Sequence, residues 1–283
     1  MLDFANKHPE TLVLSADLGT SCEVKKFRAE KPDQYLTMGI AEQNMCSWAA
    51  GLAREGYRPF LHTFSVFLSR RILDQVEMSV AYPNLPVTFV GFVPGITTPG
   101  GVTHQSINDV GIMRTVPNMA IFDVGDATDI EGVLDLVYEW NGPAYIRMLR
   151  KEVPRLFPAN EPMVFNRART ITEGDDVLIL SSSICTEEAM RATAALEDKG
   201  VSVQHMHVST LKPFTDPTIV EALKKCKYGV VTMENHYNIG GLGSAVADLM
   251  AENGIGKKLI KIGLNGYAHG ASKMYLMTKY GID

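Results

Sequence analysis

The sequence predicts an α/β chain made of two consecutive parallel-sheet domains, and three observations predict it. Short runs rich in Val and Ile, apolar on both faces, recur along the chain. Amphipathic stretches with apolar residues at three- and four-residue spacing lie between them. One proline-bearing segment with neither period interrupts the alternation. Strands read as continuous apolar runs when helices cover both faces of a parallel sheet. Their alternation with helices implies right-handed crossovers.

Taken in order, the first strand is expected over Thr11–Ala16. A helix follows over Ala41–Glu55, where Met45, Trp48, Ala49 and Leu52 share one apolar face. Phe64–Ala81 shows the same period through Phe64, Leu68, Ile72 and Val76. Strands are expected at Pro86–Phe92, Met119–Val124 and Ala144–Leu149, with a helix at Asp129–Trp140. Arg155–Arg169 carries Pro158 and Pro162 and no clean period, which marks a linker. The boundary falls near residues 155–168, giving domains of residues 1–157 and 165–283. Beyond it, strands are expected at Asp176–Ser182, Ser202–Val208, Gly229–Glu234 and Lys258–Gly263. The intervening helices are Thr186–Lys199, Asp216–Lys225 and Gly243–Asn253.

Composition narrows the function. Hydrophobic residues are 46% and charged residues 21% of the chain, the balance of a globular protein. A net charge of −5 with no basic run argues against nucleic acid, whose phosphates need a cationic face. No stretch reaches the roughly 18–20 apolar residues that span a bilayer. The first residues lack the apolar core of a signal peptide, so a cytoplasmic location is expected. Cys22, Cys46, Cys185 and Cys226 form no C-x-x-C pair and read as small buried residues. His205 and His207 alternate along an expected strand, where a structural role is the better reading. No metal is expected on ligands of this chain.

Two blocks carry chemistry. In Leu12–Ser21 a strand ends in Asp17 and a glycine turn, the edge at which open α/β sheets bind ligands. A capping aspartate explains it equally well and is more common. In Met38–Met45, Gly39 permits a tight turn and Glu42 falls in the first turn of the next helix. Such a glutamate ordinarily favours the helix dipole. Its flanks Met38, Ile40 and Met45 are apolar, however, and a carboxyl desolvated in this way tends to hold or share a proton.

Gly39-Ile40-Ala41-Glu42-Gln43, Ala50–Gly56 and Thr63-Phe64-Ser65-Val66-Phe67 resemble the pyrimidine-binding domain of transketolases. Gly101-Val102-Thr103-His104-Gln105, Val116–Met119 and Arg147–Arg150 continue the pattern in order. Leu211–Phe214, Glu234–His236 and Gly240–Gly243 are similar to that family's C-terminal domain. The resemblance spans nearly the whole chain, and the joint order of the pieces is its strength.

The resemblance implies a thiamine-diphosphate enzyme that moves a two-carbon ketol unit from a ketose to an aldose. The cofactor reacts as a thiazolium carbanion, formed with help from its own aminopyrimidine in the imino form. By resemblance, Glu42 bonds the far pyrimidine nitrogen and favours that form. Phe64 and Phe67 match the aromatic pocket around the ring, though helix core is the alternative for both. Asp17 matches a residue near the cofactor at the subunit interface. His104 matches a histidine beside the reacting sugar hydroxyls, and its Pro99–Thr103 setting offers no apolar face to bury it. Ser21 and Arg150 match groups that hold the substrate's terminal phosphate, a task that suits the planar guanidinium.

Departures and absences sharpen the expectation. Phe92 stands where the family has a histidine, Gly100 where it has an aspartate, and Arg70 where it has a third aromatic of the pocket. These put the usual sugar phosphates in doubt as substrates. The family's Gly-Asp-Gly motif for the diphosphate and Mg²⁺ is missing; Gly125-Asp126 continues with Ala127, and Gly174-Asp175 with Asp176. The expected partner is therefore an N-terminal, diphosphate-binding subunit that holds Mg²⁺ or Ca²⁺, the whole assembling as a dimer of heterodimers. The rivals are the β chain of a 2-oxoacid dehydrogenase, which has the same layout, and a non-catalytic regulatory subunit.

Overall fold

Every residue of β1 (Thr11–Ser15), β4 (Thr88–Phe92) and β6 (Ala144–Met148) is buried, as strands covered on both faces must be. The computed structural model describes residues 1–283. With β2 (Tyr35–Thr37), β3 (Arg58–Phe64) and β5 (Ala120–Asp123) these strands form one parallel array. Helices α1 (Leu2–Lys7), α2 (Lys25–Glu30), α3 (Glu42–Arg54), α4 (Asp109–Thr115) and α5 (Ala127–Trp140) connect them. Residues 155–168 hold neither helix nor strand. The second half contains β7 (Arg169–Thr172), β8 (Val177–Ser181), α6 (Cys185–Glu197), β9 (Val203–His207) and β10 (Thr210–Lys212). It continues with α7 (Pro217–Lys225), β11 (Gly229–Tyr237), α8 (Leu242–Glu252), β12 (Leu259–Leu264) and α9 (Lys273–Tyr280).

The sheets run β10-β5-β6-β4-β3-β1-β2 and β12-β11-β8-β9-β7. Each is parallel except for one antiparallel edge strand, β10 beside β5 and β7 beside β9. Strand β10 leaves the second half to finish the first sheet, so the two halves are joined by backbone as well as packing. Around this junction a side chain on Gly240 would stand 2.8 Å from the Gly111 Cα, which keeps both positions small. Arg114 Nη1 donates to the Gly240 carbonyl at 2.9 Å, and Lys212 Nζ to the Arg114 carbonyl at 2.9 Å.

Local chemistry explains the element ends. Asp126 caps α5 by accepting from the Asp129 amide at 2.8 Å, and Asn141 closes that helix in the left-handed conformation. Asp216 caps α7, with Pro217 at the first helical position. Helix α3 lays Met45, Cys46, Ala49, Ala50 and Ala53 on the same core as Leu14, Leu61 and Phe89. Its small residues let the helix approach the sheet closely.

Several expectations need correction. Trp48 is 54% exposed and does not belong to the apolar face of α3. Strand β3 was hidden by Pro59, His62 and Thr63, whose polarity disguises a strand buried in the middle of the sheet. Phe64 therefore ends a strand; it does not begin a helix. The helical stretch that follows is wound in π form over Phe67–Arg71 and Gln75–Ala81. Edge strands β2, β7 and β10 and helices α1, α2, α4 and α9 were too short or too polar to show a period. No helix is long and apolar enough to cross a membrane.

The cysteines are buried and unpaired, and burial pushes the Cys22 and Cys46 thiols up to about 12. His205 and His207 are buried on one face of β9. His205 Nε2 meets the Ser181 hydroxyl at 2.7 Å, and His207 bridges Thr186 and Asp129 at 2.7 and 2.8 Å. These are structural bonds. Burial lowers His205 and His236 to about 4 and His62 to about 3, from 6.5. Between those values and 6.5 the unfolded chain binds more protons, so stability rises with pH through that window. Glu234, which burial raises from 4.5 to about 7, acts in the opposite sense. With three rings against two raised carboxyls, Glu234 and Asp123, urea titrations should show the unfolding free energy falling as pH drops from 6.5 to 4.5. The loss should be shallower in His205→Gln, by on the order of 2 kcal/mol across that range. Equal slopes in variant and wild type would remove His205 from the explanation.

Candidate active site

The segments that leave the carboxyl ends of β1, β2, β3, β4 and β6 carry the candidate residues. Three of them begin with a non-glycine residue in left-handed conformation or contain one nearby: Asp17 (φ 57°), Val93 (φ 52°) and Lys151 (φ 69°). For a β-branched residue such as Val93 this is strained by about 1–3 kcal/mol, so the surroundings must impose it. They do so through the second half of the chain. Asn235 on β11 accepts from the Ile96 amide at 3.0 Å and donates to the Pro94 carbonyl at 3.1 Å. The Gly95 amide donates to the Ser106 carbonyl at 2.7 Å, closing the loop that carries His104.

Glu42 is the first residue of α3, placed by the turn at Gly39 (φ 72°), and it is 2% exposed. Its surroundings differ from the apolar setting expected from its flanks. Ile40 is 78% exposed, and Arg71 Nη1 stands 2.7 Å from the Glu42 carboxylate. The Arg71 guanidinium also lies 4.1 Å over the Phe67 ring. Gln43, next to Glu42, donates to the Arg71 carbonyl at 3.3 Å. The start of α3 and the π-wound turn are thus tied by backbone and by side chain. Unusual π turns of this kind often accompany functional sites because they re-aim side chains.

Phe64 and Phe67 stack with centroids 5.9 Å apart and planes 23° from parallel. His104 stands edge-on to both rings, at 5.9 and 5.8 Å. Its Nδ1 meets the Thr103 hydroxyl at 2.8 Å, which leaves Nε2 as the nitrogen available to a ligand. One side chain governs this placement. A Cβ on Gly100 would lie 2.8 Å from the His104 Cβ, so an aspartate at 100 would displace the histidine. Arg70 is exposed, and its Nη2 donates to the Val102 carbonyl at 3.3 Å, stapling the same loop.

Contacts therefore gather Glu42, Phe64, Phe67 and His104 into one group, with Arg71 among them. Ser21 and Arg150 form a second group, Arg150 Nη1 donating to the Ser21 carbonyl at 3.4 Å. Arg150 also lines a cavity of about 350 Å³ together with Pro99, Lys151, Glu187 and Lys273. Asp17 is exposed and shares a concavity with Ser21 of the second group, Lys25 and Arg28, apart from the group around Glu42. Phe92 pairs with Phe64 across adjacent strands and packs against His62 at 5.6 Å. Asn235 lies in the Glu234–His236 block that carries the resemblance, but its hold on the Pro94–Ile96 turn was not expected, and Arg71 was given no role. The signal available for Arg71 was an arginine one helical turn beyond an aromatic, which is not specific.

The residues fit part of a thiamine cofactor and not all of it. A buried carboxylate that already holds a flat N–H donor, itself lying over one ring of an aromatic pair, suits an aminopyrimidine ring. The diphosphate end finds no metal-binding set here. Both Asp126 oxygens are taken, by the Asp129 amide and by the amides of Leu156 and Phe157. Asp175 pairs with Lys227 at 2.9 Å, and no cluster of three metal-ligating side chains occurs.

Comparison with known proteins identifies the family. Residues 1–155 match the pyrimidine-binding domain of transketolase, and residues 166–282 match the transketolase C-terminal domain. The chain is 39% identical over 254 residues to the 6-deoxy-6-sulfo-D-fructose transketolase subunit SqwH of a Clostridium species, covering 89% of this chain and 79% of that one. It is 31% identical over 271 residues to an apulose-4-phosphate transketolase subunit of Actinobacillus succinogenes, covering 95% and 87%. A solved structure described as a split gene transketolase, inactive β4 tetramer, superposes with a TM-score of 0.91 at 34% identity, covering 99% of this chain and 90% of that one. On sequence, fold and site geometry together, the chain belongs to the transketolase family, as the pyrimidine-binding and C-terminal domains of a split transketolase.

Proposed function

We propose that this chain is the cofactor-activating subunit of a two-chain, thiamine-diphosphate-dependent transketolase that moves a two-carbon ketol unit from an anionic-ended ketose to an aldose. The observation that carries the proposal is the buried Glu42 carboxylate at the start of α3, linked through Arg71 to Phe67, which lies beside Phe64 and His104. When bound, thiamine diphosphate supplies the nucleophilic carbanion that accepts the ketol group. Glu42 holds the outer edge of the pyrimidine and shares a proton with it. Phe64 and Phe67 contact the ring, each aromatic pair contributing about 0.5–1.5 kcal/mol beyond burial. His104 presents Nε2 to the sugar hydroxyls as a hydrogen-bonding and proton-transfer group. Asp17 lies at the edge where the subunit interface closes over the site.

Ser21 and Arg150 receive the substrate's charged end. The names of the two relatives support an anion there: one is named for a sulfo-sugar and the other for a phosphorylated one. Phe92 and Gly100 withdraw two polar partners that common pentose phosphates would use. A buried hydroxyl left unpaired costs roughly 1–3 kcal/mol, which disfavours those sugars.

The diphosphate and its Mg²⁺ or Ca²⁺ belong to a partner subunit carrying Gly-Asp-Gly, and the working enzyme is a dimer of heterodimers. The solved tetramer of a split transketolase, described as inactive, fits a chain that self-associates without completing a site.

Three measurements test the proposal. The purified chain alone should show no ketol transfer, and adding the diphosphate-binding partner should restore it; activity of the single chain would overturn the two-chain reading. In the reconstituted complex Glu42→Gln should fold normally and lose about 10²–10⁴ in turnover, because an amide cannot share the proton. Near-normal turnover would remove Glu42 from the mechanism. Arg150→Ala should lower kcat/KM for an anionic ketose far more than for a neutral one. If the ratio of the two specificity constants stays at its wild-type value, Arg150 is structural and the anionic end has lost its receptor.

A further inference from the structure

Arg71 holds two of the three groups that the cofactor reading assigns to the pyrimidine, Glu42 and Phe67. Its Nη1 donates to the Glu42 carboxylate at 2.7 Å, and its guanidinium lies 4.1 Å over Phe67. A guanidinium is flat, bears N–H donors at its edge and stacks on aromatic faces. Those are the same three properties that a ring bonded to Glu42 and packed on Phe67 needs. We propose that Arg71 is an internal competitor of the aminopyrimidine: it occupies the pair formed by Glu42 and Phe67, and it has to swing outward for the cofactor to engage them. The proposal rests on the cofactor reading of Glu42 and Phe67 given above.

Three features fit a side chain built to be displaced. Glu42 is 1% exposed at its side chain, whereas Arg71 is 44% exposed, so the arginine has open solvent to move into and the carboxylate does not. The backbone beneath it is anchored separately, by Gln43 to the Arg71 carbonyl at 3.3 Å, so the guanidinium can leave without disturbing α3. The adjacent Arg70 is engaged elsewhere, on the Val102 carbonyl, and does not duplicate the contact. An unpaired carboxylate at a buried position is strongly unfavourable. Arg71 therefore keeps the site formed until the cofactor takes its place. The same contact lowers the apparent cofactor affinity by the fraction of time the site is open.

The test is isothermal titration of thiamine diphosphate with Mg²⁺ into the two-chain complex, comparing wild type with Arg71→Met and Arg71→Lys. Methionine keeps the apolar stem and removes the donors and the charge. Its dissociation constant should fall about three- to tenfold. Lysine can pair with Glu42 but offers no flat group to Phe67, so it should lie between the two. Thiamine, which has the same pyrimidine and no diphosphate, should gain at least as much from Arg71→Met, because no lost attraction between Arg71 and the diphosphate offsets it. A second readout is thermal unfolding. Arg71→Met should lower the midpoint before cofactor is added and leave it near wild type at saturation, since only the first condition strips Glu42 of its partner. Unchanged or weaker binding of both ligands by Arg71→Met would overturn the proposal while leaving the cofactor reading in place. If neither wild type nor variant binds, the cofactor reading itself fails.

Discussion

Arg147 is the fixed point of the molecule. It sits on β6 with no exposed side-chain surface and donates to Asp109 from Nε at 2.8 Å, to Asp123 from Nη1 at 3.0 Å, and to the Asn235 carbonyl from Nη2 at 3.0 Å. The Tyr145 hydroxyl donates to Asp109 and the Ser182 hydroxyl to Asp123. Asp123 is nevertheless held above the ordinary carboxylate range, because its burial outweighs the pull of Arg147. A buried network of this kind is not a cheap source of stability, since apolar residues of equal volume often serve as well. What it supplies is geometry. It locks the start of α4 and the ends of β5, β6 and β11 to one planar guanidinium, and three of those four elements come from one half of the chain while β11 comes from the other.

The placement of the site follows from that lock. Asn235 gives its backbone carbonyl to Arg147 and its side chain to the strained turn at Pro94–Ile96. The loop beyond that turn is framed again by the second half, through Gln105 Nε2 to the His269 carbonyl at 3.5 Å. His104 rides on this loop. The aromatic and guanidinium contacts of Phe64 and Phe67 come from the first half, yet the second half helps to fix where the histidine stands relative to them. That arrangement gives a physical reason for the two halves to share a strand: a hinge between them would let His104 drift from the aromatic pair. Displacements of about 1 Å are enough to cost catalysis orders of magnitude.

Much of this was legible in the sequence, and the parts that were not have a common cause. The long buried strands and amphipathic helices announce themselves by period, and α3, α5, α6, α7 and α8 appear within a residue or two of where the pattern puts them. Strand β3 was missed because its burial comes from the strands on either side and not from its own composition. The π winding after it leaves an apolar pattern close to that of an ordinary helix. Glu42, His104 and Arg150 stood out in the sequence as candidates because a single residue type suits the chemistry proposed for each. The site was illegible where the function of a residue lies in its partner. Arg71 reads as a surface cation until Glu42 is folded beside it. Arg147 reads as one more residue of an apolar run until three elements from distant parts of the sequence converge on it.

The two substitutions that most separate this chain from the transketolase pattern are part of the same construction. Phe92 lies beside Phe64 across the β3–β4 pair and against His62, whose ring burial keeps neutral, so the wall beneath the site is aromatic where a polar side chain is usual for the family. Gly100 is held by contact: any side chain there meets His104 at its Cβ. Restoring the aspartate at 100 alone would displace His104, and restoring a histidine at 92 alone would set a second imidazole against His62 in a region that disfavours charge. The change at 100 cannot be made without moving His104. The departures at 92 and 100 are therefore set among the packing of their neighbours and are not free-standing changes of surface.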